Sequence, residues 1–132
     1  DGIKEARFAI KAQYRRSARW LFHRDGMKQI AKIKDGEGNY IWQPAVVFGQ
    51  PDTIEGHPAL ESEYVPNTFT NGLYVGLFGD LSYYWIADSM NFSIQRLVEL
   101  YAATNQVGLI GRYEGDGMPV LAEAFARVTL AP

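Results

Sequence analysis

The 132-residue chain contains no cysteine and only two histidines, His23 and His57. Without cysteine, disulfides, thiolate nucleophiles and cysteine-ligated zinc sites are all excluded. The two histidines fall in separate predicted turns and show neither HxH nor HxxxH spacing, so a histidine-based metal site is not expected. No apolar run approaches the roughly 20 residues that a membrane-spanning helix needs. We therefore expect no metal, no cofactor and no membrane association.

Sequence signals for catalysis are also missing, and we expect no catalytic residues. There is no Gly-x-Ser-x-Gly motif, and the glycines of KDGEGNYIW (residues 34–42) lack the Gly-Lys-Ser/Thr of a phosphate-binding loop. Asp80 and Asp88 would lie about 26 Å apart on a continuous strand, whereas a glycosidase pair needs about 5–10 Å. The residues point away from an enzyme, although the aromatic side chains leave open a sugar-stacking or base-stacking surface.

Hydrophobic residues make up 47% of the chain and charged residues 21%, which is typical of a globular domain with a real core. The charge is unevenly distributed. The first 24 residues carry seven bases and two acids, a net +5, and because the whole chain carries −2, residues 25–132 carry −7. A basic end on an acidic body indicates electrostatic pairing with nucleic acid or with another copy of the chain.

Residues 3–16 have the periodicity of an amphipathic helix. An apolar stripe runs along one side, and a second stripe, which we call the basic stripe, lies about 100° round the helix. The apolar stripe consists of Ile3, Ala6, Ile10 and Tyr14, and the basic stripe of Lys4, Arg7, Lys11 and Arg15. The basic stripe fits a solvated helix face, a subunit contact or a phosphate-binding surface.

The stretch LYVGLFGDLSYYWIAD, residues 73–88, is the densest in strand-forming residues. Residues 81–88 alternate with period two, and Gly79-Asp80 is a natural turn or bulge, so we predict a central pair of strands joined there. A second hairpin is predicted near the end, because Asp116-Gly117 separates the apolar runs 107–113 and 120–130.

The remaining patterns predict a mixture of short strands and helices. A buried strand is expected at 18–22, a helix at 27–34 with Asp25 as its N-cap, and a short strand at 59–64. Residues 43–58 carry three prolines and two glycines and are expected to form a long connection, with room for a short strand at 45–48. A further strand is expected at 92–100, where Arg96 falls on the apolar side and should be paired or at an interface. The fold class is therefore α+β.

Four segments, in this order, resemble the C-terminal part of major capsid proteins from tailed phages and prophages, which share the Hong Kong 97-like capsid fold. The first is residues 18–42, in which a strand, a turn and a small helix precede KDGEGNYIW. The second is IEGHPAL at 54–60. The third is Gly79-Asp80 with Asp88, and the fourth is residues 112–127, with Asp116-Gly117 and Ala124-Phe125. Together these segments cover nearly the whole chain.

The resemblance implies an α+β fold with a mixed central sheet and flanking helices. Residues 1–101 would form the axial domain and residues 102–132 the last strands of the peripheral domain. The chain opens at Asp1 partway into a helical pattern, so we expect a fragment whose N-terminal arm, extended loop and spine helix lie upstream. Gly79, Asp80, Asp116 and Gly117 would be structural turns.

The resemblance also implies a non-enzymatic subunit that self-assembles into hexamers and pentamers of an icosahedral virion shell. The shell would enclose double-stranded DNA without sequence-specific binding, and the subunit would be made in the bacterial cytoplasm. Scaffolding, portal or decoration proteins are possible partners. On this interpretation the basic stripe packs at a subunit boundary. A bacterial encapsulin-type nanocompartment shell is the alternative, and a sugar-binding or hydrolase domain is a more distant one.

Overall fold

The computed structural model describes residues 2–130, and within this range three α-helices and eight β-strands follow one another. The helices are α1 (Gly2–Ala9), α2 (Ala12–Arg15) and α3 (Arg24–Ile30). The strands are β1 (Arg19–Phe22), β2 (Trp42–Gln43), β3 (Thr53–Ile54), β4 (His57–Glu61), β5 (Tyr74–Gly79), β6 (Tyr84–Leu97), β7 (Gly108–Pro119) and β8 (Phe125–Thr129). Short 3-10 helices span Leu81–Tyr83, Ala102–Thr104 and Ala122–Ala124. The helices and mixed strands confirm the α+β class.

Contacts divide the chain into two compact units. The first unit comprises residues 2–83 and 121–130, and the second comprises Tyr84–Val120. The domain boundary expected after residue 101 coincides with neither border and falls inside the second unit. The outer ends of the two expected domains, Asp1 and residues 131–132, lie outside the described residues.

The first unit is built on a six-stranded mixed sheet with the order β2-β3-β4-β1-β5-β8. β1 lies in the middle, parallel to β4 and antiparallel to β5. Its apolar residues Trp20 and Phe22 are completely buried, as expected for the buried strand at 18–22. The Trp20 ring lies 4.2 Å from that of Phe78 in β5, and its Nε1–H donates a 3.0 Å hydrogen bond to the Ile54 carbonyl. A buried indole is stable here because its one polar group is satisfied.

A glycine in β5 makes room for one of these core rings. Gly76 is the register partner of Phe22, and a Cβ added to Gly76 would lie 2.2 Å from the Phe22 ring. The ring therefore lies directly against the glycine. α1 and α3 contribute Ala6, Met27 and Ile30 to the same core.

The second unit is a two-stranded antiparallel ribbon formed by β6 and β7. We call residues 84–120 the ribbon. Its strands pair from Tyr84↔Pro119 to Leu97↔Gly108, with irregularities near Met90. Residues 98–107 connect them, and Asn105 adopts a left-handed conformation, φ 52°, at the end of the 3-10 helix. The ribbon contributes no residue to the hydrophobic core of the described chain.

Two predictions about this region are wrong. Residues 73–88 do not form a pair of strands, because β5 pairs with β1 and β8 while β6 pairs with β7. Asp116 and Gly117 lie within β7, so they are not a hairpin tip. The glycines of β7 are covered by aromatic rings: a Cβ on Gly117 would meet the Tyr84 ring, and one on Gly115 the Tyr113 ring. The aromatic rings over the glycines and the hydrogen-bonded pairing with β6 keep β7 extended. The same Asp-Gly sequence usually favours a turn.

Smaller differences concern helix ends and loops. The helix expected at 3–16 is broken at Lys11, whose ψ of 146° is not helical, although Ile10 beside it is buried as predicted. α3 begins at Arg24 rather than 27, and its N-cap is His23, whose Nδ1 accepts from the Asp25 backbone N–H. No strand forms at 45–48, where the described residues are a loop between two prolines.

Candidate assembly surfaces

The described residues show no arrangement typical of an active site. In residues 2–130 no group of three or more histidine, aspartate or glutamate side chains could hold a metal ion. Within the same range, no helix is both long and apolar enough to cross a bilayer. A groove of about 1050 Å³ is bordered by α1, α3 and β8 in the first unit. Its lining includes Asp35, but backbone N–H groups of Asn39 and Glu37 lower the pKa of that carboxyl and occupy it in a turn.

Two members of the basic stripe form ion pairs within the chain. The Arg7 guanidinium lies 3.5 Å from Glu55, and the Lys11 ammonium lies 2.7 Å from Glu123. The hydrogen bond and charge of Glu123 raise the pKa of Lys11. The Lys11 pair is exposed, so water and salt screen it and it contributes little to stability.

The other two members have different surroundings. Arg15 donates to the Ile10 carbonyl at 3.0 Å and, like Arg7, lies over the Phe8 ring. Lys4 is exposed on α1 and borders the 1050 Å³ groove. Because the helix breaks at Lys11, the four side chains do not form one straight row. Any charge that they offer to a partner is thus reduced by the two internal pairs.

Of the four residues predicted to form turns, Gly79 and Asp80 lie at the end of a strand, whereas Asp116 and Gly117 lie inside one. Gly79 ends β5 and Asp80 follows it, as predicted for a junction. The Asp80 carboxylate accepts from both the backbone N–H and the hydroxyl of Ser82, within the 3-10 helix that follows Asp80. A Cβ on Gly79 would lie 2.6 Å from the Ala124 carbonyl, so only glycine fits this close approach. Asp116 instead accepts from the N–H of Gly117 inside β7.

Asp88 lies inside β6. Its carboxylate accepts from the Tyr113 hydroxyl across the ribbon, and this hydrogen bond raises the pKa of Tyr113. Asp88 therefore stabilises the strand pairing, as a cross-strand contact, and does not act with Asp80. Arg96, expected to be paired or at an interface, is exposed and forms no ion pair with another described residue.

The ribbon presents apolar side chains on both faces. Trp85 and Met118 are register partners and share one face, whereas Ile86 and Ile94 pair with glycines on the other. All four side chains are exposed. A two-stranded ribbon has no core of its own and is only marginally stable in water, so this surface needs a cover. The alternating aromatic pattern predicted strands here, but it gave no sign that the strands leave the main sheet.

A second apolar projection lies in the connection that the prolines and glycines of residues 43–58 predict. We call residues 44–51 the 44–51 loop. Val46 and Phe48 in this loop are fully exposed. The sequence predicted the connection from Pro44, Gly49 and Pro51, but gave no sign that these apolar side chains would be exposed.

Comparison with known proteins identifies the family of the chain. The sequence profile described as the phage capsid family matches residues 1–130. The chain belongs to the phage capsid family. This confirms the family that the four sequence segments implied.

Two solved structures have the same fold. One is titled the capsid of an empty GTA particle and the other the capsid of a native GTA particle, both computed with C5 symmetry. Their TM-scores are 0.79 and 0.73, each at 24% sequence identity. Each match covers 100% of this chain but 44% of the other, so the chain spans less than half the length of these structural relatives. No curated protein sequence matches the chain.

Proposed function

We propose that the complete protein is the major shell subunit of a phage or prophage particle, and that its copies form hexamers and pentamers around double-stranded DNA. The observation that carries the proposal is the ribbon, which exposes apolar residues on both faces over its length. Large apolar side chains that are exposed together usually mark an interaction surface. A shell subunit has a use for it, because every copy is covered by its neighbours or by the rest of its own chain.

The division into units supports a revised assignment of the two domains. The first unit has its own core and would be the axial domain. The ribbon, residues 84–120, would contribute the peripheral strands, and it shares residues 102–120 with the range 102–132 that the resemblance implied. β8 returns to the main sheet beside β5, which is why the end of the chain groups with the axial unit.

The body of the chain carries an excess of negative charge, which suits a container that must not bind packaged DNA tightly. Synthesis in a bacterial cytoplasm, and contacts with scaffolding, portal or decoration proteins, belong to the same proposal. Electron microscopy of the full-length product tests it: we expect closed particles holding nuclease-protected DNA. Particles filled with an enzyme cargo would indicate an encapsulin-type compartment, and a persistent monomer would contradict the proposal.

The basic stripe is proposed as part of a subunit boundary. Reversing the charge of Arg7 or Lys11 alone would also break its ion pair within the chain. The test therefore needs variants that separate this internal effect from an effect on assembly. In full-length protein, Lys4→Glu should impair assembly because Lys4 has no internal ion pair among the described residues. The swap Lys11→Glu with Glu123→Lys restores the internal pair while changing the local field. The triple variant Lys4→Glu, Lys11→Glu and Glu123→Lys combines the two changes. If it forms particles in normal yield, the basic stripe is not part of a subunit boundary.

A further inference from the structure

We propose that Asp116-Gly117 in β7 is a site of spontaneous backbone modification, at which the unassembled subunit slowly converts aspartate to isoaspartate. The reaction needs no cofactor and no second protein, because it uses only these two residues and water. The site itself goes beyond the proposed function, and only its consequence for assembly rests on that function.

The reaction rearranges the connection between the two residues, and its atoms balance. The Gly117 amide nitrogen attacks the side-chain carboxyl carbon of Asp116, a new C–N bond closes a succinimide ring, and a water molecule leaves. A second water molecule then opens the ring. When it attacks the former backbone carbonyl of Asp116, the bond from that carbon to the Gly117 nitrogen breaks, and the chain runs through the aspartate side chain. The product keeps the composition of the original chain but has an additional carbon in its backbone path.

The sequence contains five places where such a ring can close, because glycine follows an aspartate or an asparagine there. They are Asp1-Gly2, Asp25-Gly26, Asp35-Gly36, Asn71-Gly72 and Asp116-Gly117. Glycine favours ring closure since it has no Cβ to obstruct the approach of its nitrogen. The first pair begins outside the described residues, and the structure separates the other four by what holds their reacting groups.

The carboxylate of Asp35 is held away from the glycine that follows it. Its Oδ1 accepts hydrogen bonds from the backbone N–H groups of Glu37 and Asn39, at 2.9 and 2.8 Å. The Asn39 side-chain amide lies 3.4 Å from the other oxygen. These bonds must break before the carboxyl carbon can turn towards Gly36, so ring closure is slowed here.

The next two pairs are restrained through the glycine or its surroundings. Gly26 is buried in α3, and the Asp25 carboxylate lies 3.4 Å from the His23 ring. In the asparagine pair, the Gly72 N–H donates to the Leu130 carbonyl at 3.0 Å. Each of these glycine nitrogens is fixed by an element of the first unit and is not free to turn towards the side chain.

Asp116-Gly117 differs because its two reacting groups already touch. The Gly117 N–H donates to Oδ1 of Asp116 at 2.8 Å, so the nitrogen lies beside the carboxyl group that it attacks. Rotation of the peptide between the two residues then turns the nitrogen towards the carboxyl carbon. Reacting groups that are held in contact react faster than groups that must first meet. Asp116 is exposed, so water can reach the ring and open it.

The ribbon supplies the freedom that this rotation requires. Asp116 has a glycine on either side, Gly115 and Gly117, and glycine restricts the backbone least. A ribbon of two strands is only marginally stable by itself, so β7 should open more often than the strands of the six-stranded sheet. An opened segment allows the peptide to rotate and the ring to close.

The modified chain no longer fits the pairing of the ribbon. Asp116 is the register partner of Ala87, and Trp85 pairs with Met118 two positions further on. An additional backbone carbon at residue 116 shifts this register and displaces the side chains beyond it. On the proposed function, the ribbon is covered in the particle and seldom opens. Isoaspartate should therefore accumulate in subunits that remain unassembled and make them less able to assemble.

The test follows isoaspartate in full-length protein by peptide mapping with electron-transfer fragmentation, which distinguishes the two linkages. Dissociated subunits and assembled particles are incubated side by side at neutral pH. In the subunits, isoaspartate should form at Asp116 at least about tenfold faster than at Asp25 or Asp35, as a difference of about 1.4 kcal/mol in the barrier would give. In the particles, the rate at Asp116 should fall at least about tenfold.

Asp116→Glu is the matched variant. It keeps the carboxylate and its charge, but the additional methylene prevents closure of the same ring, so no isomer should form at this position. Subunits of the unmodified protein should lose particle yield in proportion to their isoaspartate content, and subunits of the variant should keep theirs over the same time. An unchanged yield from subunits rich in isoaspartate would overturn the effect on assembly.

The outcomes separate the inference from the proposed function. Equal rates at Asp116, Asp25 and Asp35 in dissociated subunits would overturn the inference, while closed particles would leave the proposed function intact. A fast reaction at Asp116 that is equally fast in particles would support the site and contradict a covered ribbon. If no closed particle forms, the proposed function is contradicted, and the three rates in the subunits still decide the inference.

Discussion

Trp20, in the first unit, is completely buried, whereas Trp85, in the ribbon, is 64% exposed. The Trp20 indole packs against Phe78 and has its N–H satisfied by the Ile54 carbonyl, and so it stabilises the chain that carries it. Trp85 shares a face of the ribbon only with residues such as its register partner Met118. The same residue type thus serves folding in one unit and, on our proposal, assembly in the other.

The comparison predicts effects of very different size on stability for the same substitution at the two tryptophans. Trp20→Ala should lower the free energy of unfolding of the 132-residue chain by about 3–5 kcal/mol, because a large buried side chain is lost and a cavity remains. Trp85→Ala should change it by no more than about 0.5 kcal/mol. Urea unfolding followed by circular dichroism measures both. A large loss of stability from Trp85→Ala would mean that the ribbon has a core of its own.

A second pair of variants sharpens the account of how the core is packed. Gly76→Ala should destabilise the first unit by about 1–3 kcal/mol, since the new methyl group would overlap the Phe22 ring and the buried ring cannot move away. Gly36→Ala is the control, because nothing lies within 4 Å of its Cβ position. If the two variants unfold at the same urea concentration, the Phe22 ring does not lie over Gly76.

The smallest expected effect is a pH dependence at the edge of the core. Burial first, and then the charges of Arg7 and Arg15, lower the pKa of His57, whose ring packs edge-on against Phe78. In an unfolded chain a histidine has a pKa of about 6.5. Below that pH the unfolded state binds the proton more readily, so stability should fall as the pH is lowered from about 7 towards the folded pKa, and it should not change above 7.

Thermal unfolding between pH 7.5 and 5.5 measures this slope, which should stay below the limit of about 1.4 kcal/mol per pH unit for one group. His57→Gln should flatten it. An unchanged slope in that variant would assign the pH dependence to other groups.

Local patterns predicted the first unit better than the ribbon. The apolar run at 18–22 is buried in any arrangement of the sheet, and it became the central strand β1. Ala6 and Ile10 are buried as their spacing predicts, and Gly79-Asp80 marks the end of β5 because a side chain does not fit there. The family could be identified because four short segments keep their order along the chain.

The errors arise where distant contacts override a local preference. Asp116-Gly117 is a strong turn signal, but rings of Tyr84 and Tyr113 cover the neighbouring glycines and hold β7 extended. The contacts that override the turn preference come from residues of β6 and β7 that are close in space, which a local pattern does not show. The short strand considered at 45–48 does not form, and these residues belong to the loop that the flanking prolines and Gly49 favour.

Hydrogen exchange measured by mass spectrometry, on the 132-residue chain and on particles of the full-length protein, tests the central claim most directly. The account predicts that amides of β1 and β5 are protected in both samples, because the first unit has its own core. Amides of β6 and β7 should exchange rapidly in the isolated chain and become strongly protected in particles. Equal protection of the ribbon in both samples would contradict the claim that residues 84–120 are an assembly surface.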